Sequence, residues 1–252
     1  MYSRLILTTN LDGDRLNYDP DALGEYVVGF IDILGFGAEI NKISNDRYRE
    51  SIAKKIGRLL YLLKHSPQIK NFENLGIQIL VVSDSIIISK NFTSQMIDAS
   101  FYVLRTVDLI QKILIMNNWL SRGYISSGYC YHKDGVVFGP AYIEAYNNER
   151  RHSEPKVVVE HSIATDFLHF QSSYTNADKV TLINIDNGPY YIDYLDGLAS
   201  FVTEQNKDPF DYFKNLVAWS KNQTEEHAQE SGVSEKYIWF TRYAEGNLSQ
   251  LK

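Results

Sequence analysis

Cysteine is almost absent: the 252 residues hold one, Cys130. A single thiol excludes an intrachain disulfide framework and a multi-cysteine zinc site, and it is expected as a small buried hydrophobe of a reducing compartment. Excess positive charge is absent too. Lys and Arg number 25 against 31 Asp and Glu, for a net charge of -6. That balance argues against a broad nucleic-acid surface. No apolar run approaches the ~18 residues that span a bilayer, so no membrane binding is expected. The N-terminal MYSRLILTTNLDGDR turns acidic too soon for a secretory signal, which makes the expected location cytoplasmic. The six His show no metal-ligand spacing of the HExxH kind, and His132 and His152 read as loop or surface residues.

What is present suits an ordinary globular protein: 44% apolar residues, 22% charged, and a rich aromatic supply of 18 Tyr and 12 Phe. Residues 1–24 carry DGD and DPD turn signals without a sustained period and read as a variable lead-in. Residues 25–165 form the core, and 166–252 form a C-terminal extension packed on the same domain.

Within the core, YVVGFIDIL (26–34) has strand length and is interrupted only by Gly29 and Asp32. Gly35 and Gly37 break it, and a long helical pattern follows through Ile52, Ile56, Leu59, Leu60 and Leu63 until Pro67. GIQILVV and IIIS then flank a hairpin tip at Ser83–Ser85, and 94–118 is again helical. RGYISSGYCYH, GVVFGP and PKVVVE read as strands, and a helix opens after Pro140. The order β-α-β-β-α-β predicts an α/β (α+β) fold, with a ferredoxin-like or palm-type sheet and helices on one face. The extension should add strands TLINID and PYYIDYL and two amphipathic helices near 208–222 and 234–245.

Two acids occupy positions unfavourable to acids. Asp32 sits inside FIDIL, and Asp84 lies between QILVV and IIIS. A carboxylate among so many strand residues is costly unless paired, and no Lys or Arg lies close in sequence to either one. A hard divalent cation would satisfy both, and two carboxylates at adjacent strand ends can hold two ions ~3.5–4 Å apart for phosphoryl chemistry. The bland alternative makes Asp32 a helix cap and Asp84 a turn residue. The ILGFG that follows Asp32 adds a Gly-rich strand-to-helix turn whose amides can cradle phosphates.

The blocks FIDILGF, VSDSIIIS, RGYISSG and VFGPAYIEAYNNE resemble, in order, the successive blocks of the class III nucleotide cyclase catalytic domain across roughly residues 26 to 160. FIDILGF, GPAYIEAY, PKVVV and KYIWFTRY are closer to one branch, the bacterial pyrimidine cyclases of Pycsar anti-phage systems. The resemblance implies two Mg²⁺ or Mn²⁺ ions on Asp32, Asp84 and the Ile33 carbonyl, with phosphates cradled by the amides of Leu34, Gly35 and Phe36. It also implies a homodimer with sites at the subunit interface, and a cyclic nucleotide acting on a separate effector protein. Purine-selective members read the base with a Lys and an Asp at registers that hold Leu80 and Val136 here, which argues against a purine substrate, and the resemblance to the branch implies UTP, with CTP second. The ribose-binding Asn and the transition-state Arg of the family fall at Ile143 and Asn147. Asn147 can still bond ribose, while Arg122, Arg150 or Arg151 could stand in for the Arg. Tyr48 and Arg49, early in the first long helix, could reach a pyrimidine by stacking or charge-assisted bonding. A purine cyclase and a degenerate nucleotide-binding or interaction module are the alternatives.

Overall fold

The structure, a computed structural model, describes residues 22–171, 180–184 and 188–251. Most of the lead-in lies outside these, as do the last two residues of TLINID. In chain order the described elements are β1 (Leu23–Ile33), α1 (Phe36–Lys42), α2 (Asp46–His65), α3 (Pro67–Asn74), β2 (Gln78–Val82), β3 (Ser85–Phe92), α4 (Met96–Met116), β4 (Ser121–Lys133) and β5 (Val136–Phe138). There follow α5 (Pro140–Glu149), β6 (Val157–Val159), α6 (His161–Gln171), β7 (Leu182–Asn184), β8 (Tyr190–Ile192), α7 (Leu198–Thr203), α8 (Pro209–Glu226) and α9 (Ser231–Gln250). One mixed sheet runs β2-β3-β1-β4-β6-β8-β7, with β5 paired to β4. The predicted α+β class is the observed one.

β1 is the central strand, antiparallel to both β3 and β4. Alternation divides its side chains between two faces. Val27, Ile31 and Ile33 enter the main core, with Ile86 and Ile88 of β3, Ile125 of β4 and the apolar faces of α2, α4 and α6. The same cluster takes in Phe213, Leu216 and Phe240 of α8 and α9. Tyr26, Val28 and Phe30 point the other way, into a smaller cluster with Ile87, Cys130, Ala141 and Ala145. Helices therefore cover both faces, because α5 crosses the second one. Asp32 continues the Tyr26–Val28–Phe30 series and emerges on that second face, beyond the end of its cover.

Two glycines are required by geometry. A Cβ at Gly123 would stand 2.2 Å from the Phe30 carbonyl oxygen, so β4 approaches β1 closely only with glycine there. Gly35 holds φ 78° where β1 turns into α1.

Local chemistry corrects several sequence readings. The single long helical pattern is split, because Asn45 caps a new start: its side chain accepts from the Arg47 amide. α2 ends at His65, just before Pro67 as expected, and Pro67 also opens α3 as its first residue, where its missing N–H costs nothing. Helices α6 and α7 had no counterpart in the sequence reading. His132 is not a surface residue: it is 3% exposed, and its Nδ1 lies 2.8 Å from the Ser89 hydroxyl.

Two measurements follow from this packing. Burial depresses His132 to about 4, from an ordinary value of 6.5. The unfolded chain then binds the proton more readily, so His132 costs stability as pH falls from 6.5 towards 4. At about 1.4 kcal/mol per pH unit this reaches on the order of 3 kcal/mol, and His132→Gln should flatten the chemical-denaturation profile across that window. Ser83 holds the left-handed φ of 58° at the β2–β3 turn. Ser83→Gly should raise the unfolding free energy by about 0.5–1 kcal/mol, measured by the same denaturation series.

Candidate metal and phosphate site

The site is built where β1 ends beside the β2–β3 hairpin. Val82 pairs with Ser85, leaving Ser83 and Asp84 as a two-residue turn, and the positive φ of Ser83 is the sign that a primed hairpin turn needs at its first central position. The Ile33 amide donates to the Asp84 carbonyl at 2.8 Å, and Asp32 is paired with Ser85. One backbone bond thus fastens the turn carrying the second acid to the strand end carrying the first. Both acids are half-buried.

The sequence reading found no cation near either acid, and here the sheet corrects it. Asp32 is paired across β1–β4 with Arg122, whose Nε lies 3.6 Å from its carboxylate. The same guanidinium makes a closer ion pair with Glu149, the last residue of α5, whose side chain is only 2% exposed. Burial raises the Asp32 pKa, Arg122 lowers it and Asp84 raises it again, with a net upward displacement. Burial likewise lifts Glu149 above its ordinary range, against the pull of Arg122. Arg122 therefore compensates the two acids incompletely.

The phosphate cradle is narrower than expected. The Leu34 amide donates to the Leu120 carbonyl at 2.9 Å, so it cannot also serve a phosphate. The Gly35 and Phe36 amides remain at the start of α1, where helical N–H groups lack intrahelical partners. The Phe36 ring is buried 5.7 Å from that of Trp119, which fixes the turn.

Other expected residues stand apart from the acids. Tyr48 is exposed on α2, with Arg47 over its ring, and Arg49 pairs with Asp46. Asn147 is exposed on α5, on a different side from the buried Ala141–Ala145–Glu149 line, and Ile143 is exposed as well. Among the described residues, neither Tyr48 nor Asn147 is hydrogen-bonded or ion-paired to either acid. Leu80 and Val137 both pack against the smaller cluster, and Val136 is exposed. Arg150 bonds the Tyr146 hydroxyl at 2.6 Å, and Arg151 is exposed. Lys236 of α9 was missed altogether, although its charge acts on Asp32, Arg122 and Glu149. No sequence pattern signals a contribution from so far along the chain.

A cleft of about 590 Å³ is lined by Arg105, Asp108, Lys112, Asp193 and Asp196 and includes neither Asp32 nor Asp84. Among the described residues, no group of three or more His, Cys, Asp and Glu side chains is placed to hold a metal. What the acid pair offers is two carboxylates and the Ile33 carbonyl, an all-oxygen donor set that suits Mg²⁺ or Mn²⁺.

No family profile and no curated protein matches the chain. Solved structures do resemble it. The adenylyl cyclase CyaB from P. aeruginosa is 15% identical, with 68% of this chain and 94% of that one covered and a TM-score of 0.47. The guanylyl cyclase domain of the RhoGC fusion protein from Blastocladiella emersonii is 15% identical, with 68% and 95% covered and a TM-score of 0.45. The guanylate cyclase domain of RhGC from Catenaria anguillulae, solved with GTP, is 12% identical, with 67% and 96% covered and a TM-score of 0.43. Likeness at this level says nothing about the activity of this chain, which has to be argued from the site.

The electrostatics give a direct test. With its pKa above 3.8, Asp32 holds its proton more tightly in the folded state, so raising the pH from about 4 costs the metal-free protein stability. A bound cation removes that cost. Mn²⁺ at about 100 times its dissociation constant should stabilise the protein by about 2.7 kcal/mol, read as a rise in Tm. Asp32→Asn should lose this response while melting no lower than the unmutated protein in EDTA at neutral pH.

Proposed function

We propose that the chain is a metal-dependent nucleotide cyclase converting UTP, with CTP second, into the 3′,5′-cyclic monophosphate and pyrophosphate. The observation that carries the reading is the fastening of Asp84 to the end of β1, which sets two half-buried acids side by side. In cyclisation the ribose 3′-oxygen forms a bond to the α-phosphorus, the bond to the bridging oxygen of the β-phosphate breaks, and the hydroxyl proton leaves to solvent. Two Mg²⁺ or Mn²⁺ ions, when bound, would acidify that hydroxyl and neutralise the departing pyrophosphate. Asp32, Asp84 and the Ile33 carbonyl would hold them. The Gly35 and Phe36 amides would orient the β- and γ-phosphates, and the Arg122 charge would oppose the developing negative charge.

Pyrimidine preference rests on resemblance to the Pycsar branch and on the apolar Leu80, which offers a purine edge no hydrogen bond. Exposed Tyr129, Val136, Phe138 and Ile143 supply apolar surface for the homodimer that this reading requires. The cyclic product would act on a separate effector in anti-phage defence.

A second reading has an observation of its own. Arg122 already partners Asp32, so the acids do not strictly demand a metal, and a nucleotide-binding or interaction module without catalysis would retain the same pair.

The deciding experiment incubates the purified protein with Mn²⁺ and each ribonucleoside triphosphate separately, and identifies products by mass spectrometry. A cyclic pyrimidine monophosphate that falls by about 10³-fold or more in Asp32→Ala and Asp84→Ala is expected. A cyclic purine product would keep the metal site and remove the base assignment. No product from any triphosphate would leave the binding-module reading.

A further inference from the structure

Among the described residues, each cation whose charge acts on Asp32 has a partner except one. Arg122 is held by Glu149 and Asp32, and Arg150 by the Tyr146 hydroxyl and Glu149. Lys156 is buried with Glu154 and the rings of Tyr191 and Trp239. Lys236 differs: it is half-buried, and among the described residues it makes neither an ion pair within 4.0 Å nor a hydrogen bond. It lines a cleft of about 260 Å³ between the Ser153–Glu154 loop, just after α5, and the α9 residues Glu235, Ile238, Trp239 and Arg242.

Position explains why this ammonium is not drawn into a pair. α9 is anchored from below, with Phe240 and Ala244 in the main core and Thr241 bonded to Ser220 of α8 at 2.8 Å. That anchoring leaves Lys236, beside the Ser153–Glu154 loop that follows α5, within electrostatic range of Asp32, Arg122 and Glu149. Burial and Arg122 lower its pKa, while Asp32 and Glu149 raise it, with a net lowering. A half-desolvated ammonium repelled by a guanidinium gains most from a polyanion, and a phosphate chain is strongly attracted to such a group.

We propose that Lys236 is the phosphate-contacting cation of this site, reaching from α9 to the triphosphate and the departing pyrophosphate. It would do from the C-terminal extension what Asn147, which has no charge, cannot do from α5. The assignment rests on the cyclase reading for its kinetic consequence but not for phosphate binding itself, so the two can fail separately.

The test uses the full chain with two probes, Mn²⁺ alone and Mn²⁺ with inorganic pyrophosphate, each read by thermal shift, alongside UTP cyclisation. Lys236→Met should keep the Mn²⁺ shift, lose most of the further pyrophosphate increment and lower kcat by about 100-fold. Lys236→Arg should restore the increment, and Lys214→Met, the same charge change at an exposed α8 position, should behave as the unmutated protein. An unchanged ligand-free Tm in Lys236→Met shows that a loss is not unfolding; where that Tm falls, the Arg variant carries the comparison. Lys236→Met that retains the pyrophosphate increment, with kcat within about threefold, overturns the proposal. A parent protein that cyclises nothing, yet loses its pyrophosphate increment on Lys236→Met, keeps Lys236 as a phosphate ligand and removes the cyclase reading. Loss of the Mn²⁺ shift itself in Lys236→Met would make the residue a structural support of the acids and overturn the phosphate role.

Discussion

The hydrogen bond from the Ile33 amide to the Asp84 carbonyl is the constraint on which the site depends. Register along β1 and β3 sets which residues pair, but it does not by itself decide how the hairpin turn sits against the strand beside it. That one bond ties the turn back onto β1 immediately after Asp32. The two carboxylates are then neighbours because of backbone geometry, and their own mutual repulsion is absorbed by the sheet. A side-chain tether could not do this as well, since rotamer freedom would let the acids separate.

Holding like charges together has an electrostatic cost, and the surrounding residues show how it is divided. Arg122 stands across β4 from Asp32 and is shared with Glu149. If Arg122 served Asp32 alone, the resulting pair would neutralise the acid and weaken its hold on a cation. Glu149, buried at the end of α5, draws the guanidinium towards itself; the separation from Asp32 is 3.6 Å, longer than a direct hydrogen bond. The acid is thereby only partly compensated, which leaves it costly enough to favour a cation and stable enough to fold without one. Removing either partner of a buried ion pair is expensive, so Glu149 and Arg122 constrain each other as much as they constrain the site.

What was legible in the sequence tracks what alternation and local chemistry encode. Asp32 and Asp84 stood out because an acid inside an apolar strand pattern is conspicuous, and the strands around them carry a period of two. The α+β order was readable for the same reason. Contacts set by register were not readable: the Arg122 partner of Asp32 is 90 positions away, and only strand pairing brings it across. The Leu34 amide was lost to the cradle through a bond to Leu120, another long-range choice. The short α3 escaped because Pro67 reads equally as a stop or as a first helical residue.

One chain brings together the charged residues around the two acids but not the positions assigned to the sugar and the base. Asp32, Asp84, Arg122 and Glu149 converge from β1, the β2–β3 turn, β4 and α5, with Lys236 of α9 in electrostatic range. Tyr48 and Asn147, by contrast, are exposed on α2 and α5, and the apolar residues of the β4–β5 hairpin and α5 are exposed with them. A monomeric enzyme would have little reason to leave its specificity residues outside while burying its charge network. A site completed by a second copy accounts for both facts, because each chain then keeps its own acids fixed by the sheet and offers its α5 face to the partner. On that arrangement the chain whose acids would bind the metals would also hold the phosphates, through Lys236 in cis, and discrimination among bases would be left to the interface.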